Sequence, residues 1–160
     1  MADILTKEQR QRNMRNIKGK NTKPEILLRR ALHARGLRYR LHCRNLPGSP
    51  DLVFPKYRTV IFVHGCFWHR HGCKYTSTPS TRKDFWEQKF FQNVRRDEKN
   101  VRALEQAGWR VGIIWECQLK KGGRKLSQYC DQIILFLEGV IDLPDTAASK
   151  LNDANSARLS

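Results

Sequence analysis

The sequence predicts a single mixed α/β domain in which helices flank a small β-sheet. Its length of 160 residues is typical of one domain with a substantial core. Apolar, β-branched runs at 59–63 and 109–115 indicate buried strands. Amphipathic segments before, between and after these runs indicate helices that pack against the sheet.

The first half of the chain is predicted to form a helix followed by a β-hairpin. Thr22 and Glu25 have the spacing of a capping box and predict the start of a helix that ends near Arg35. Turn-forming residues lead into a short strand at 51–54, and a second turn joins it to the strand at 59–63. This hairpin delivers the chain directly into a segment rich in histidine and cysteine.

The second half is predicted to add two helices around one further strand. The first of these helices is expected to open at Thr81 and to end near Gly108. Its apolar stripe includes Asp97, a carboxylate that is costly to bury unless it is paired. The strand at 109–115 follows, and the apolar positions within 126–137 predict the last helix.

The chain is strongly basic, with 31 Lys and Arg, 15 Asp and Glu and a formal net charge of +16. A surplus of this size favours a polyanionic partner, of which nucleic acid is the commonest. Much of it falls within residues 1–44, so residues 1–20 are predicted to form a basic DNA-binding arm. Residues 21–140 are expected to form the folded domain, and residues 141–160 a disordered tail.

Cysteine usage and hydropathy indicate the compartment. The number of cysteines is odd, at five, and two of them lie within a histidine-rich segment, which favours reduced thiols that bind metal. The sequence contains no apolar run long enough to cross a bilayer and no recognisable signal peptide. We therefore expect a cytoplasmic protein that has no membrane partner.

Residues 63–73 read VHGCFWHRHGC, and half of the ten His and Cys residues of the chain lie within 64–73. Zinc prefers four nitrogen or sulfur ligands in a tetrahedron, so this density predicts a structural zinc site. The alternative is a histidine patch with buried thiols and no metal. Spacing alone leaves the ligands open among local candidates and one distant residue: His64, Cys66, His69, His71, Cys73 and Cys117.

Some choices of zinc ligands leave two histidines over. One such choice is Cys66, His71, Cys73 and Cys117. It would leave His64 and His69 beside the metal, on a loop that the metal holds rigid. A lone histidine is more often structural, but a rigid pair near a carboxylate also suits catalysis.

Three carboxylates could complete a reaction site. Asp51 begins a strand and the returning strand ends at His64, so a divalent cation could bind near both. Glu25 shares the inner face of the first helix, and Asp97 could pair with a histidine and fix its tautomer. The structural alternatives are a turn aspartate after Pro50 and a glutamate that only caps its helix.

Three aromatic residues, Phe67, Trp68 and Trp86, lie near the metal candidates in this basic chain. Aromatic wedges inserted between base pairs unstack a duplex, which is one use of such side chains. A small apolar core around the zinc is the alternative, and the residues alone support both interpretations equally.

Three segments of the sequence carry a family resemblance: residues 49–51, 62–69 (with the motif HGCFWH) and 109–117. In these segments the chain resembles the very short patch repair (Vsr) endonucleases. It is also similar to the PD-(D/E)XK nuclease superfamily, with Phe62 and His64 standing where that superfamily carries an acidic residue and a lysine. The resemblance implies a restriction-endonuclease-like fold, with residues 21–140 as the endonuclease domain.

The resemblance implies a mismatch endonuclease that recognises a T·G mispair left by deamination of 5-methylcytosine. It would nick one strand 5′ of the thymine, with two magnesium ions as catalytic cofactors and one structural zinc. Its partners would be mismatched double-stranded DNA, a downstream repair polymerase and mismatch-repair proteins, and the chain would act as a monomer. A restriction-type endonuclease and a non-catalytic zinc DNA-binding protein are the alternatives.

The resemblance also implies roles for individual residues. Asp51 would bind magnesium together with the backbone carbonyl of Val63, a position where some family members carry threonine. His69 would act as general base with Asp97 as its partner. His64 and Glu25 would be further catalytic residues, and zinc would be held by Cys66, His71, Cys73 and Cys117. DNA would be contacted by Met14 and Arg15 on the arm and by Phe67, Trp68 and Trp86 beside the mispair.

Overall fold

A computed structural model describes residues 5–120 and 122–143, and it confirms a mixed α/β domain. The elements are α1 (Lys7–Arg15), α2 (Lys23–Ala34), β1 (Arg40–Leu41), β2 (Leu52–Phe54), β3 (Thr59–His64), α3 (Cys66–His69), α4 (Lys83–Gln106), β4 (Arg110–Trp115), α5 (Glu116–Leu119) and α6 (Gly123–Leu137). A short 3-10 helix, Pro55–Tyr57, joins β2 to β3. Among these described helices, none combines the length and apolar character needed to span a membrane.

The described strands form one sheet in the order β1-β2-β3-β4. The sheet is mixed, because β3 has an antiparallel neighbour on one side and a parallel neighbour on the other. β3 is antiparallel to β2, where Leu52 faces Ile61, and this pairing confirms the predicted hairpin. It is parallel to β4, where His64 faces Trp115. Because β3 and β4 end at the same edge of the sheet, the segments that follow them meet there. The histidine- and cysteine-rich segment therefore lies beside α5.

Each face of the sheet buries its own apolar cluster. On one face, α2 and α6 pack against alternate strand residues, and Leu28 and Leu32 of α2 are fully buried as predicted. On the other face, α4 contributes Val101 and Leu104 to a cluster that includes Trp115. The period of two along the strands explains this division, since successive side chains point to opposite faces.

The start of α4 differs from the sequence prediction. The helix begins at Lys83, and its cap residue Arg82 adopts a left-handed conformation with φ 55° and no side-chain cap. The Thr81 hydroxyl, expected to cap the helix, instead accepts a hydrogen bond from the Arg10 guanidinium at 3.5 Å. The left-handed backbone at Arg82 thus starts the helix after Thr81, whose hydroxyl contacts the arm instead of capping α4.

The two ends of the chain also refine the prediction. The arm contains a helix, α1, which begins with a capping box between Thr6 and Gln9, and none of the nine described residues of α1 is buried. At the other end, Leu143 falls within the predicted tail but is 3% exposed and packs in the core against Gly112. Residues 144–160, the rest of that tail, lie outside the described residues.

Candidate active site and metal centre

A cleft of about 1140 Å³ lies between residues 17–20 of the arm, α4 and the end of β3. Its floor carries carboxylate and imidazole groups, including Asp51 and His69. Its lining also includes five basic side chains, Lys18, Lys20, Arg44, Lys89 and Arg96. A basic cleft with acidic groups at its floor suits a polyanion whose phosphate approaches a bound cation.

Asp51 lies on the cleft floor, immediately before β2. Its Oδ2 accepts a hydrogen bond from the Val63 amide at 2.7 Å. Burial raises the pKa of the Asp51 carboxyl to about 6, the Val63 amide opposes that shift, and the nearby Glu25 carboxylate adds to it. A cation in contact with Asp51 would favour the ionised form, as expected of a metal ligand.

The Val63 carbonyl faces the same part of the cleft. In an extended strand, the N–H and C=O groups of one residue point to the same edge. Because the Val63 amide points at Asp51, the carbonyl of Val63 also points toward that side of β3. A main-chain oxygen and a carboxylate oxygen are thereby directed at one region.

His42 joins the floor of the cleft, and sequence analysis missed it. It follows β1 in a left-handed conformation with φ 47°. Its Nε2 lies 2.9 Å from Glu25 Oε1, and its Nδ1 lies 3.8 Å from Asp51 Oδ1. One ligand atom from each of these three residues, which we call the carboxylate cluster, lies within 4.8 Å of the others.

Glu25 supports this cluster from α2. Its side chain is only 2% exposed, and Oε1 also lies 3.1 Å from the Arg29 guanidinium. The Thr22 hydroxyl accepts a hydrogen bond from the Glu25 amide, so Thr22 caps the helix as the predicted capping box requires. The carboxylate itself points to His42 and Arg29, which makes its role more than capping.

His64 and His69, which we call the histidine pair, stack face to face above the end of β3. Their ring centroids lie 3.8 Å apart with an interplanar angle of 9°. His69 Nδ1 lies 2.5 Å from Asp97 Oδ2, so the carboxylate on the α4 stripe does pair with an imidazole. Such a contact assigns the proton to Nδ1 and leaves the lone pair on Nε2 as an acceptor.

A second group of potential metal ligands forms where the ends of β3 and β4 meet. This thiol cluster consists of Cys66, His71, Cys73 and Cys117. One ligand atom from each lies within 4.8 Å of the others, with His71 Nδ1 3.4 Å from Cys117 Sγ and 4.0 Å from Cys66 Sγ. Tetrahedral zinc, with bonds of about 2.0–2.3 Å, places neighbouring ligand atoms roughly 3.5–3.8 Å apart. The cluster therefore fits a zinc ion.

Two further observations favour a metal in the thiol cluster. All five cysteines are free thiols, so no disulfide competes for the sulfur atoms of the cluster. The His71 ring stacks on Trp115, with centroids 4.3 Å apart, which fixes its orientation.

The three predicted aromatic residues pack together at the junction of α3 and α4, as an aromatic cluster. The Phe67 ring lies 5.0 Å from Trp68 and 5.7 Å from Trp86, by centroids, and Phe90 adds a fourth ring. Phe67, Trp68 and Trp86 are each half-buried, and Trp68 lines the cleft. Cys66 packs instead in the buried cluster with Trp115. An apolar core does surround the thiol cluster, since Cys73 and Cys117 also pack against it, but Phe67, Trp68 and Trp86 are not part of that core.

Further residues lie in the cleft or near it. Of the predicted arm contacts, Met14 and Arg15 are exposed on α1, whereas residues 17–20 line the cleft. Asn93, which is 6% exposed, donates a hydrogen bond to the Trp68 carbonyl and also lines the cleft. Glu116, which sequence analysis did not single out, borders the cleft and pairs with Lys120 at 2.9 Å.

Comparison with known proteins gives independent observations. A family profile described as DNA mismatch endonuclease Vsr matches residues 2–75. The chain is 47% identical to the type II nicking enzyme V.XorIIP of Xanthomonas oryzae pv. oryzae over 123 residues, 77% of this chain and 90% of that relative. It is 46% identical to the DNA mismatch endonuclease Vsr of Escherichia coli K12 over 127 residues, 79% of this chain and 81% of that relative. Identity is 45% over 120 residues with the type II nicking enzyme V.NmeAIP of Neisseria meningitidis serogroup A, 75% of this chain and 86% of that relative.

Proposed function

The chain belongs to the Vsr family of DNA mismatch endonucleases, and on that premise we propose that it nicks DNA 5′ of the thymine in a T·G mispair. Membership makes it a DNA endonuclease, a hydrolase of phosphodiester bonds. The mispair would arise by deamination of 5-methylcytosine, and a repair polymerase would act on the nick. One observation carries the proposal: a single basic cleft contains both Asp51 and the His69–Asp97 pair.

The basic residues of the cleft support binding of the duplex. Lys and Arg side chains that neutralise phosphates release condensed counterions, which makes affinity steeply dependent on salt. Lys18 and Lys20 follow α1 on one side of the cleft, and Lys89 and Arg96 lie on α4 on the other side. DNA held between these groups would place its backbone above Asp51.

The aromatic cluster supports discrimination of the mispair. Phe67 and Trp68 lie on the short helix α3, which begins at Cys66 of the thiol cluster, and Trp86 packs on both from α4. Inserting such rings between base pairs costs a few kcal/mol per step. A mispaired base is unstacked at lower cost than a paired one, so the cost of insertion itself favours the T·G site.

Asp51 and the carbonyl of Val63 would hold magnesium, because hard divalent cations prefer oxygen ligands. When bound, magnesium would stabilise the negative charge that develops on the scissile phosphate. Asp51 also keeps its hydrogen bond from the Val63 amide, which orients the carboxylate toward the cleft. A valine at this position retains the carbonyl contact, since that contact does not involve the side chain.

His69 would accept the proton of the attacking water. With Nδ1 engaged by Asp97, the ring presents Nε2 as the basic atom. The stacked ring of His64 limits the orientations open to His69. Zinc in the thiol cluster would fix the segment that carries the histidine pair, because Cys66 lies between His64 and His69 in the chain.

A nicking assay on matched and mismatched duplexes tests the proposal. With magnesium, we expect one cut, 5′ of the thymine, in a T·G duplex and far slower cutting of the T·A duplex. Equal cutting of both duplexes would contradict mismatch recognition, and cleavage of both strands of matched DNA would favour a restriction-type enzyme. Binding without nicking, unchanged by Asp51→Ala, would favour a zinc DNA-binding protein.

A further inference from the structure

We propose that His42 supplies a nitrogen ligand to the cation bound between Glu25 and Asp51, so that this site prefers Mn²⁺ or Co²⁺ to Mg²⁺. The inference rests on the proposed function, since it takes this cation to be the one used in the reaction. It concerns a residue that no motif of the sequence marks and that enters the cleft only through the fold.

The spacing of the carboxylate cluster fits one octahedral ion. Bonds of about 2.1 Å to adjacent octahedral positions place the two ligand atoms roughly 3.0 Å apart. His42 Nε2 and Glu25 Oε1 lie 2.9 Å apart. Asp51 Oδ1 lies 3.8 Å from Nδ1, the other nitrogen of the imidazole, while Asp51 Oδ2 is engaged by the Val63 amide. One ligand atom from each of the three residues nevertheless lies within 4.8 Å of the others, close to the roughly 4.2 Å that separates opposite octahedral ligands. One oxygen of each carboxylate can therefore join a His42 nitrogen around a single ion.

A simple ion pair accounts less well for His42 Nε2. A protonated imidazole 2.9 Å from a carboxylate should direct its N–H at the oxygen and form a charge-assisted hydrogen bond. Among the described residues, however, no group forms a well-directed hydrogen bond with this buried nitrogen, despite its short distance from Glu25. Arg29 already neutralises Glu25. A lone pair on Nε2 that is directed at a metal ion would satisfy a buried polar atom that otherwise carries a penalty.

The nitrogen ligand decides the preference among cations. Magnesium favours carboxylate, carbonyl and water oxygens and loses its waters reluctantly. Imidazole suits transition-metal ions, and the affinity of a nitrogen-containing site rises along the first transition row from Mn²⁺ to Co²⁺. Two carboxylates with one imidazole therefore raise the affinity for Mn²⁺ and Co²⁺ while adding little for Mg²⁺.

Pulsed electron paramagnetic resonance of Mn²⁺ added to the zinc-loaded full-length protein tests this assignment. We expect a ¹⁴N coupling from a directly bound imidazole in the wild type, and its loss in His42→Gln. The matched control is His69→Gln, which removes a neighbouring imidazole from the same cleft and should keep the coupling. We also expect His42→Gln to weaken Mn²⁺ binding by about tenfold or more, with Mg²⁺ binding changed less than about threefold.

Three results would overturn the assignment: no nitrogen coupling in the wild type, coupling retained in His42→Gln, or coupling lost only in His69→Gln. The wild-type measurement needs no variant, so the assignment can be refuted even if His42→Gln fails to fold. Failure here is also separable from failure of the proposed function. Wild-type protein that nicks T·G duplexes with magnesium but shows no coupling would refute the nitrogen ligand alone.

Discussion

The thiol cluster and the carboxylate cluster, two of the three groups of potential metal ligands among the described residues, differ in chemistry and in access. The thiol cluster has four sulfur and nitrogen ligands, and its residues lie outside the described lining of the cleft. The carboxylate cluster has two carboxylates and one imidazole, and His42 and Asp51 face the cleft. A closed set of four ligands is typical of structural sites, whereas an open set leaves positions for water and substrate.

This difference separates stability from chemistry within one small domain. The thiol cluster joins the segments that follow β3 and β4, so a metal there would cross-link two parts of the fold. The carboxylate cluster brings buried negative charges together, and burial raises the pKa of Asp51. Changes in the first cluster should therefore lower stability, and changes in the second should lower activity without that loss.

The largest expected effect is on nicking by Asp51→Asn. We expect the rate to fall at least about a thousandfold, roughly 4 kcal/mol of transition-state stabilisation, because the amide binds a divalent cation poorly. Single-turnover nicking of a T·G duplex with magnesium measures this loss. A fall of less than about tenfold would remove Asp51 from the reaction.

The same variant should leave the magnesium-free protein as stable as the wild type, or more stable. The folded-state pKa of Asp51 is raised to about 6 from 3.8. The contribution of Asp51 to the free energy of unfolding is therefore greatest below about pH 4. It decreases as the pH rises through about 6, by at most about 3 kcal/mol in total. Asparagine avoids that penalty and can still accept the Val63 hydrogen bond. Urea unfolding at pH 7.5 that shows a clear loss of stability would contradict this.

The next effect concerns the His69–Asp97 pair. We expect Asp97→Asn to slow nicking by about a hundredfold, because the amide no longer fixes the tautomer that presents Nε2. In a His69→Ala background the same change should add little, since the two residues act as one unit. Independent, additive losses in the double variant would show that Asp97 has a separate role.

Cys117→Ala tests the other side of the comparison. We expect it to lose the bound zinc and about 3 kcal/mol of unfolding free energy, because the ion holds α5 to the segment after β3. Cys43→Ala is the matched control, a half-buried thiol outside the thiol cluster, and it should retain the metal. Metal analysis with urea unfolding measures both quantities. Equal zinc content in the two variants would exclude Cys117 as a ligand.

The smallest expected effect belongs to Val63→Thr. The proposed metal contact at this position uses the backbone carbonyl, and β-branched residues of similar size keep the strand conformation. We expect the nicking rate with magnesium to change by less than about twofold, a difference of roughly 0.4 kcal/mol. A gain of tenfold or more would assign a role to the hydroxyl that the carbonyl does not supply.

Most of the fold could be predicted because its main elements carry long periodic patterns. The hairpin, β4 and the inner face of α2 follow directly from apolar spacing. The elements that were missed, β1, α3 and α5, have two to four residues each, too few for any period to appear. The start of α4 lies beyond Thr81 because the backbone at Arg82 is left-handed, a conformation that the capping pattern of the sequence does not reveal.

The two clusters were predictable to different degrees for the same reason. Three residues of the thiol cluster lie within eight positions of the sequence, so their density alone indicated a metal. Cys117 could be proposed as a fourth ligand because it lies just after the predicted strand that forms β4. The carboxylate cluster draws one residue from each of three elements or their ends. His42 reaches it through a left-handed backbone conformation, which leaves no pattern in the sequence.

Crystals soaked in Mn²⁺, with anomalous data collected at the zinc and manganese edges, test the central claim of two chemically distinct metal sites. The predicted result is a zinc peak surrounded by Cys66, His71, Cys73 and Cys117 and a separate manganese peak at Asp51. The account would be contradicted by the absence of a zinc peak at the thiol cluster. It would also be contradicted by a manganese peak at the histidine pair with none at Asp51.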